Sequence, residues 1–126
     1  MMAAPDLSGR VVLVTATPSG AGRPVAAIPT PTPGLYVHWD PSRRSYVIAA
    51  ACGLVVACGW NRPDSAWCAA DDLNGLADWA TVTRETAGYL AYRTVARVGR
   101  IVEGWGGMLI ARLPGTCTCF GGDADG

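Results

Sequence analysis

The chain has 126 residues, enough to bury a core as one domain without disulfide or metal staples. Half of them are hydrophobic and only 16% are charged, which excludes wholesale disorder. Ten acidic residues balance ten basic ones, and with no lysine in the chain every basic residue is an arginine. A neutral chain is not steered toward bulk nucleic acid unless its arginines gather in one place.

At the N-terminus Asp6 and Arg10 interrupt any apolar run long enough for a secretory signal. The five cysteines are odd in number and irregularly spaced, so a disulfide framework is not expected and reduced thiols in the cytoplasm are. Residues 1–17 are read as an N-terminal segment with one strand, Arg10 to Thr17. The stretch LSGRVVLVTATPSGAGRPVAA resembles the opening of a short-chain dehydrogenase, with Thr15, Gly20 and Gly22 on that family's glycine-rich turn. Such a turn must open a helix whose N-terminal amides hold a cofactor pyrophosphate. Here Ala16 replaces the first glycine of the pattern, and Pro24, Pro29, Pro31 and Pro33 follow where that helix would run. The chain also lacks the lysine of the family's catalytic pair. No cofactor is expected.

Residues 18–34 are rich in Pro, Thr and Gly and are read as an extended linker. The run from Leu35 to Trp60 is the densest apolar stretch and carries Val, Ile, Tyr and Trp, which suit a pleated surface. Leu35, Val37 and Trp39 alternate with Tyr36 and His38, the period of two of a strand. Asp40-Pro41-Ser42-Arg43-Arg44 has the chemistry of a tight turn, and Gly53 marks a second break. Three antiparallel strands are therefore expected, with segments 46–51 and 54–60 apolar on both faces. The uncharged run 45–61 also approaches the length of a membrane span, roughly 17–20 residues. The two turns favour the sheet, and a membrane partner is not expected.

Asn61-Arg62-Pro63-Asp64 reads as a helix start, with Asn or Asp as cap, for a helix from Asp64 to Leu73 stopped by Asn74-Gly75. Ala66, Ala69, Ala70 and Leu73 share one face of it. Asp71-Asp72 sits at its C-terminal end, an unfavourable place for negative charge that hints at some other use. A second helix is expected from Arg84 to Val102, capped by Thr81 or Thr83, with Glu85 in its first turn. Ala87, Ala91, Val95, Val98, Val102 and Trp105 stack on one side of it, and Arg93, Arg97 and Arg100 on the other. The plain reading is a core-facing stripe with a solvated basic face; the sharper one is that the arginines meet an anion.

From Gly104 the chain is Gly-rich, and Gly106-Gly107 ahead of a Thr/Cys-rich tail resembles the leader–core junction of a modified peptide precursor. Cys117 and Cys119 have no zinc-knuckle spacing, so no metal is expected, and 114–126 is read as a flexible Cys/Gly tail. His38 is the one histidine and shares a strand face with Asp40, yet no nucleophile stands near it, so the chain is read as non-enzymatic.

The expected fold is α+β, a three- to four-stranded antiparallel sheet packed against two C-terminal helices, with 35–113 as the β-meander and two-helix domain. The strand-strand-strand-helix order over Tyr36 to Ala70 resembles the arm-binding domain of phage-type integrases and AP2-like domains in shape. That resemblance implies arginines on an exposed sheet face, whereas here the later strands are Ala, Val and Ile. The function expected is a small protein-interaction or regulatory module, of the kind found as an accessory of a phage or mobile element. Its motive is a sheet with one face left over for a protein partner or a second copy. The alternative is a DNA-binding module. Arg43, Arg44, Arg93, Arg97 and Arg100 are the residues expected to meet the partner or anion in either case.

Overall fold

The structure, a computed structural model, describes residues 7–15, 23–83, 86 and 90–109. Its strands are β1 (Val11–Thr15), β2 (Arg23–Pro29), β3 (Leu35–Asp40), β4 (Ser45–Ala50), β5 (Val55–Trp60) and β6 (Met108–Leu109). They form one antiparallel sheet in the order β1-β2-β3-β4-β5-β6. Helices α1 (Pro63–Asp72) and α2 (Tyr92–Gly104) lie between β5 and β6 in the chain. The class is α+β as the sequence implies, but the described residues form six strands rather than three or four. The helices also precede the last strand instead of following the whole sheet.

The central meander stands where its turn chemistry places it. Asp40 accepts hydrogen bonds from the Ser42 amide at 2.9 Å and the Ser42 hydroxyl at 2.7 Å, while Arg44 takes a positive φ of 52° to close the hairpin. Gly53, at φ 94°, turns β4 into β5. The β4–β5 register slips twice between Tyr46 and Ala49, and Gly59 sits in this irregular ladder at φ 103°. The Gly59 amide donates to Ser45 Oγ at 3.1 Å, so the side chain of one strand satisfies a backbone donor of its neighbour. Residues 45–61, the run long enough to invite comparison with a span, are strands and turns. Among the described residues no helix is long and apolar enough to cross a membrane.

The stretch expected as a linker contains β2, which is a correction. Residues 23–27 of β2 pair with β1, and only Ile28 and Pro29 pair with β3. Pro24 lies in the part of β2 with a single ladder neighbour, where an imide nitrogen can face away from the ladder. The following loop is tied down by Thr32, whose buried hydroxyl donates to the Ala70 carbonyl at 2.6 Å. Gly34, at φ 90°, lets the loop lie flat on the 79–80 backbone; a Cβ there would stand 2.3 Å from the Ala80 nitrogen.

Helix α1 starts at Pro63 with Arg62 as its N-cap and no side-chain cap bond, so neither Asn61 nor Asp64 is the N-cap expected, although Asp64 Oδ1 accepts the first-turn Ser65 amide at 2.9 Å. Its small face, Ala66, Ala69, Ala70 and Leu73, is fully buried and packs with Leu35, Val37 and Ile48 of the sheet and Val95, Val98 and Val102 of α2 in one core. Alanines bring the helix close, and the valines fill the space they leave. The second helix is shorter at its start than its periodicity suggests. Thr83 Oγ1 accepts the Thr86 amide and Thr86 Oγ1 accepts the Thr83 amide, the reciprocal cap of a helix start. Yet Ala91 is extended, at φ −63° and ψ 145°, and exposed, so α2 begins anew at Tyr92.

A second, smaller cluster lies on the opposite sheet face: Leu13, Ala27 and Ala49, with Val25 and Tyr36 packed against them. The β1–β2 hairpin thus covers part of the face for which the sequence named no cover.

Candidate functional site

Helix α2 divides its circumference three ways. Val95, Val98 and Val102 are buried in the core. Arg93, Arg97 and Arg100 are all exposed on the far flank, as the periodicity implies. Between those flanks lies a face absent from the sequence reading, built on Tyr92, Ala96, Gly99 and Glu103. Because Ala96 and Gly99 are small, this face is recessed, and it opens onto a groove of about 350 Å³ closed on its other side by Met108 and Leu109 of β6. Arg100 lines both the groove and the basic flank.

The groove is lined by apolar Val95, Ala96, Gly99, Met108 and Leu109 and by polar Tyr92, Arg100 and Glu103. Tyr92 is 68% exposed and Met108 58%, the two largest exposed apolar surfaces beside it. Gly99 shapes its depth: a Cβ there would meet Leu109 Cδ2 at 3.7 Å, an ordinary contact, so an alanine would fit while making the groove shallower. Gly106 and Gly107 position β6. Gly106 turns at φ 91°, and a Cβ on Gly107 would lie 2.2 Å from the Trp60 ring, so the chain passes flat over that indole. The double glycine is thus a tight α2–β6 connection.

Tryptophan hydrogen bonds hold α2 in place. Trp60 Nε1 donates to the Trp105 carbonyl at 2.9 Å, and Trp105 Nε1 donates to Asp72 Oδ2 at 2.8 Å. Asp72, which looked misplaced at a helix C-terminus, is the acceptor that ties α1 to the end of α2. Among the described residues the three α2 arginines make no ion pair; the two that exist are Arg43–Asp40 at 2.6 Å and Arg62–Asp64 at 3.0 Å.

Arg43 and Arg44 lie in the β3–β4 turn and are exposed, but no hydrogen bond or ion pair among the described residues joins them to the α2 arginines. Arg43 is engaged by its own turn. Burial works to raise the Asp40 pKa, but hydrogen bonds from Ser42 and Arg43, and the Arg43 charge, hold the carboxyl below the ordinary aspartate range.

The His38–Asp40 pairing that can be drawn on a strand does not form. His38 Nδ1 lies 3.0 Å from the Trp39 carbonyl, so it donates there, and buried Nε2 has no hydrogen-bond partner among the described residues. Cys52, Cys58 and Cys68 are free thiols, and among the described residues no three ligand side chains gather for a metal. Burial pushes the Cys58 thiol up, against the pull of Arg43 and with Asp40 adding to it; burial and then Asp64, Asp71 and Asp72 do the same for Cys68. Cys117 and Cys119 lie outside the described residues.

Of the groove's lining, the sequence reading named only Val95 and Arg100, and missed Tyr92, Ala96, Gly99, Glu103, Met108 and Leu109. A signal for Met108 existed in the apolar run Met108-Leu109-Ile110 after two glycines, which is what a short edge strand after a turn looks like. Tyr92 gave none, since it lies off both stripes of the helix.

No protein-family model matches the chain, and no curated protein or solved structure matches it either.

Proposed function

We propose that the protein is a non-enzymatic interaction module that docks an acidic peptide segment, with one large apolar side chain seated in the α2–β6 groove. The observation that carries this reading is the adjacency of a recess of mixed apolar and polar lining to three arginines on one helix flank that make no ion pair among the described residues. An apolar anchor in a pocket supplies affinity, and charge-assisted bonds from arginine to carboxylates at the rim supply orientation. A groove of about 350 Å³ takes an anchor residue rather than a folded surface. Its polar lining is one Tyr, one Arg and one Glu, without His, Cys or Ser, which suits binding rather than nucleophilic chemistry. Glu103 at the same rim makes a uniformly acidic anchor unfavourable and favours carboxylates that flank an apolar residue on the arginine side.

The test is an amide-shift titration with a synthetic peptide of aspartates and glutamates around a single leucine or phenylalanine. The expected result is saturable shifts at Ala96, Gly99 and Leu109, abolished in the Arg93→Ala/Arg97→Ala/Arg100→Ala variant. Shifts without saturation, or shifts insensitive to that variant, would refute the groove as the site. A duplex DNA probe runs in parallel at low salt. If DNA binds instead of the peptide, and does so through these arginines, the DNA-binding alternative replaces this reading.

A further inference from the structure

We infer that two copies of the chain associate edge to edge through β1, pairing it with its own symmetry mate. β1 is the terminal strand of the sheet among the described residues, and β2 is its one ladder neighbour. Among the described residues its other edge therefore presents backbone donors and acceptors without a ladder partner. Proteins protect such edges with charge, proline, bulges or brevity. The sequence Val11-Val12-Leu13-Val14-Thr15 has no charge and no proline, and its ladder with β2 runs without a register shift. The nearest charge, Arg10, is turned back on its own chain, with Nη1 donating to the carbonyls of Leu7 and Gly9. The other open stretch of this hairpin, on β2, does carry a protection, in Pro24.

The occupant follows from self-complementarity. A two-fold axis brings a strand against its own copy in the antiparallel sense, the sense of every ladder in this sheet. With Leu13 on the axis, Val12 of one copy stands opposite Val14 of the other, and the reverse. Both are exposed, Val12 at 76% and Val14 at 56%, and both project to the face away from Leu13. Two cross-strand valine pairs thus form on a surface that in one copy is bare. β6 is a poorer mate, because it has two residues against five, and a β1–β6 contact would not close but propagate. A five-residue strand spans about 17 Å, so its pairing buries less than the roughly 800 Å² per partner of a standard interface. The dimer is accordingly weak and concentration-dependent.

Sedimentation velocity across the micromolar to millimolar range should show a monomer–dimer equilibrium and no larger species. Val12→Lys/Val14→Lys sets like charges opposite each other in both pairs and should weaken the dimer by about tenfold. Val12→Lys/Val14→Glu sets opposite charges across the same register and should restore it. Both residues are exposed, so an unchanged thermal midpoint shows that the monomer fold is intact, and the restored variant controls for it independently. A wild type that stays monomeric at millimolar concentration overturns the proposal, as do higher oligomers. Indifference to the Lys/Lys change overturns it, and so does equal loss in both double variants, because either result removes the stated register.

Discussion

Replacing Gly34 by Ala tests how the β2–β3 loop is anchored. Two costs add at this position. An L-residue held at φ 90° lies on the left-handed side of the Ramachandran map, which costs about 1–2 kcal/mol. The new Cβ would also stand 2.3 Å from the Ala80 nitrogen and 2.5 Å from the Trp79 carbonyl carbon, backbone atoms that cannot swing away. Forced overpacking of that kind costs about 1–3 kcal/mol more. Gly75 supplies the control, since it has nearly the same φ, 86°, and nothing within 4 Å of its Cβ position. Gly75→Ala therefore carries the backbone cost alone, and both variants gain the same offset of about 0.4–1 kcal/mol from a stiffer unfolded chain. Urea unfolding of the pair should place Gly34→Ala about 1–3 kcal/mol below Gly75→Ala, with equal slopes. A difference under about 0.5 kcal/mol, the usual limit of additivity, would show that the loop is not pressed against Trp79 and Ala80.

Two further outcomes follow from the titratable groups. The lowered pKa of Asp40 means that its contribution is present above the unfolded aspartate value and is lost as pH falls through the folded value. Asp40→Ala should cost about 1 kcal/mol near neutrality, through the Ser42 and Arg43 bonds at an exposed turn. Thermal midpoints of variant and wild type should converge in acid, and a penalty independent of pH would mean that the carboxylate is not the group at work. Among the three described cysteines, limited alkylation with iodoacetamide followed by peptide mass mapping should label exposed Cys52 first and buried Cys58 last. Early labelling of Cys58 would mean that β5 opens locally.

How far the sequence carried the fold depended on how local each signal was. The β3–β4 turn was legible because Asp40 and Pro41 encode it in adjacent residues, and Gly53 and Asn74-Gly75 were legible for the same reason. The alanine face of α1 and the valine stripe of α2 follow from period alone. β2 was hidden because its partner β1 lies across residues 16–22, and Pro24 and Pro29 read locally as breakers. Their tolerance depends on which neighbour each part of β2 pairs with, and that is a non-local fact. The break at Ala91 was hidden by a periodicity that continues through it. Of the candidate site, the arginine flank was readable and the recess beside it was not. The recess exists only because two small residues of α2 face a two-residue strand that the glycine-rich tail concealed. Arg43 illustrates the converse, a residue whose charge is plain in the sequence and whose partner is set by the turn it sits in.

The cover provided by the β1–β2 hairpin moves the question of partners from the face of the sheet to its edges. An uncovered sheet face would take another sheet or a helix, a large apolar contact that leaves the protein obligately assembled. The hairpin instead seats Leu13 and Val25 against Tyr36 and Ala49, and, Trp39 of β3 aside, the large apolar side chains left exposed among the described residues lie on β1 at one end of the strand order and at Met108 and Tyr92 by the other. Edges select extended strands, and small grooves select single side chains, so both remaining surfaces suit weak, reversible contacts. Their separation has a consequence. Pairing at β1 neither blocks nor uses the α2–β6 groove, so a dimer joined there presents two grooves. A target with two suitable segments then meets the second groove at the effective concentration set by its own linker, which raises avidity without adding a contact.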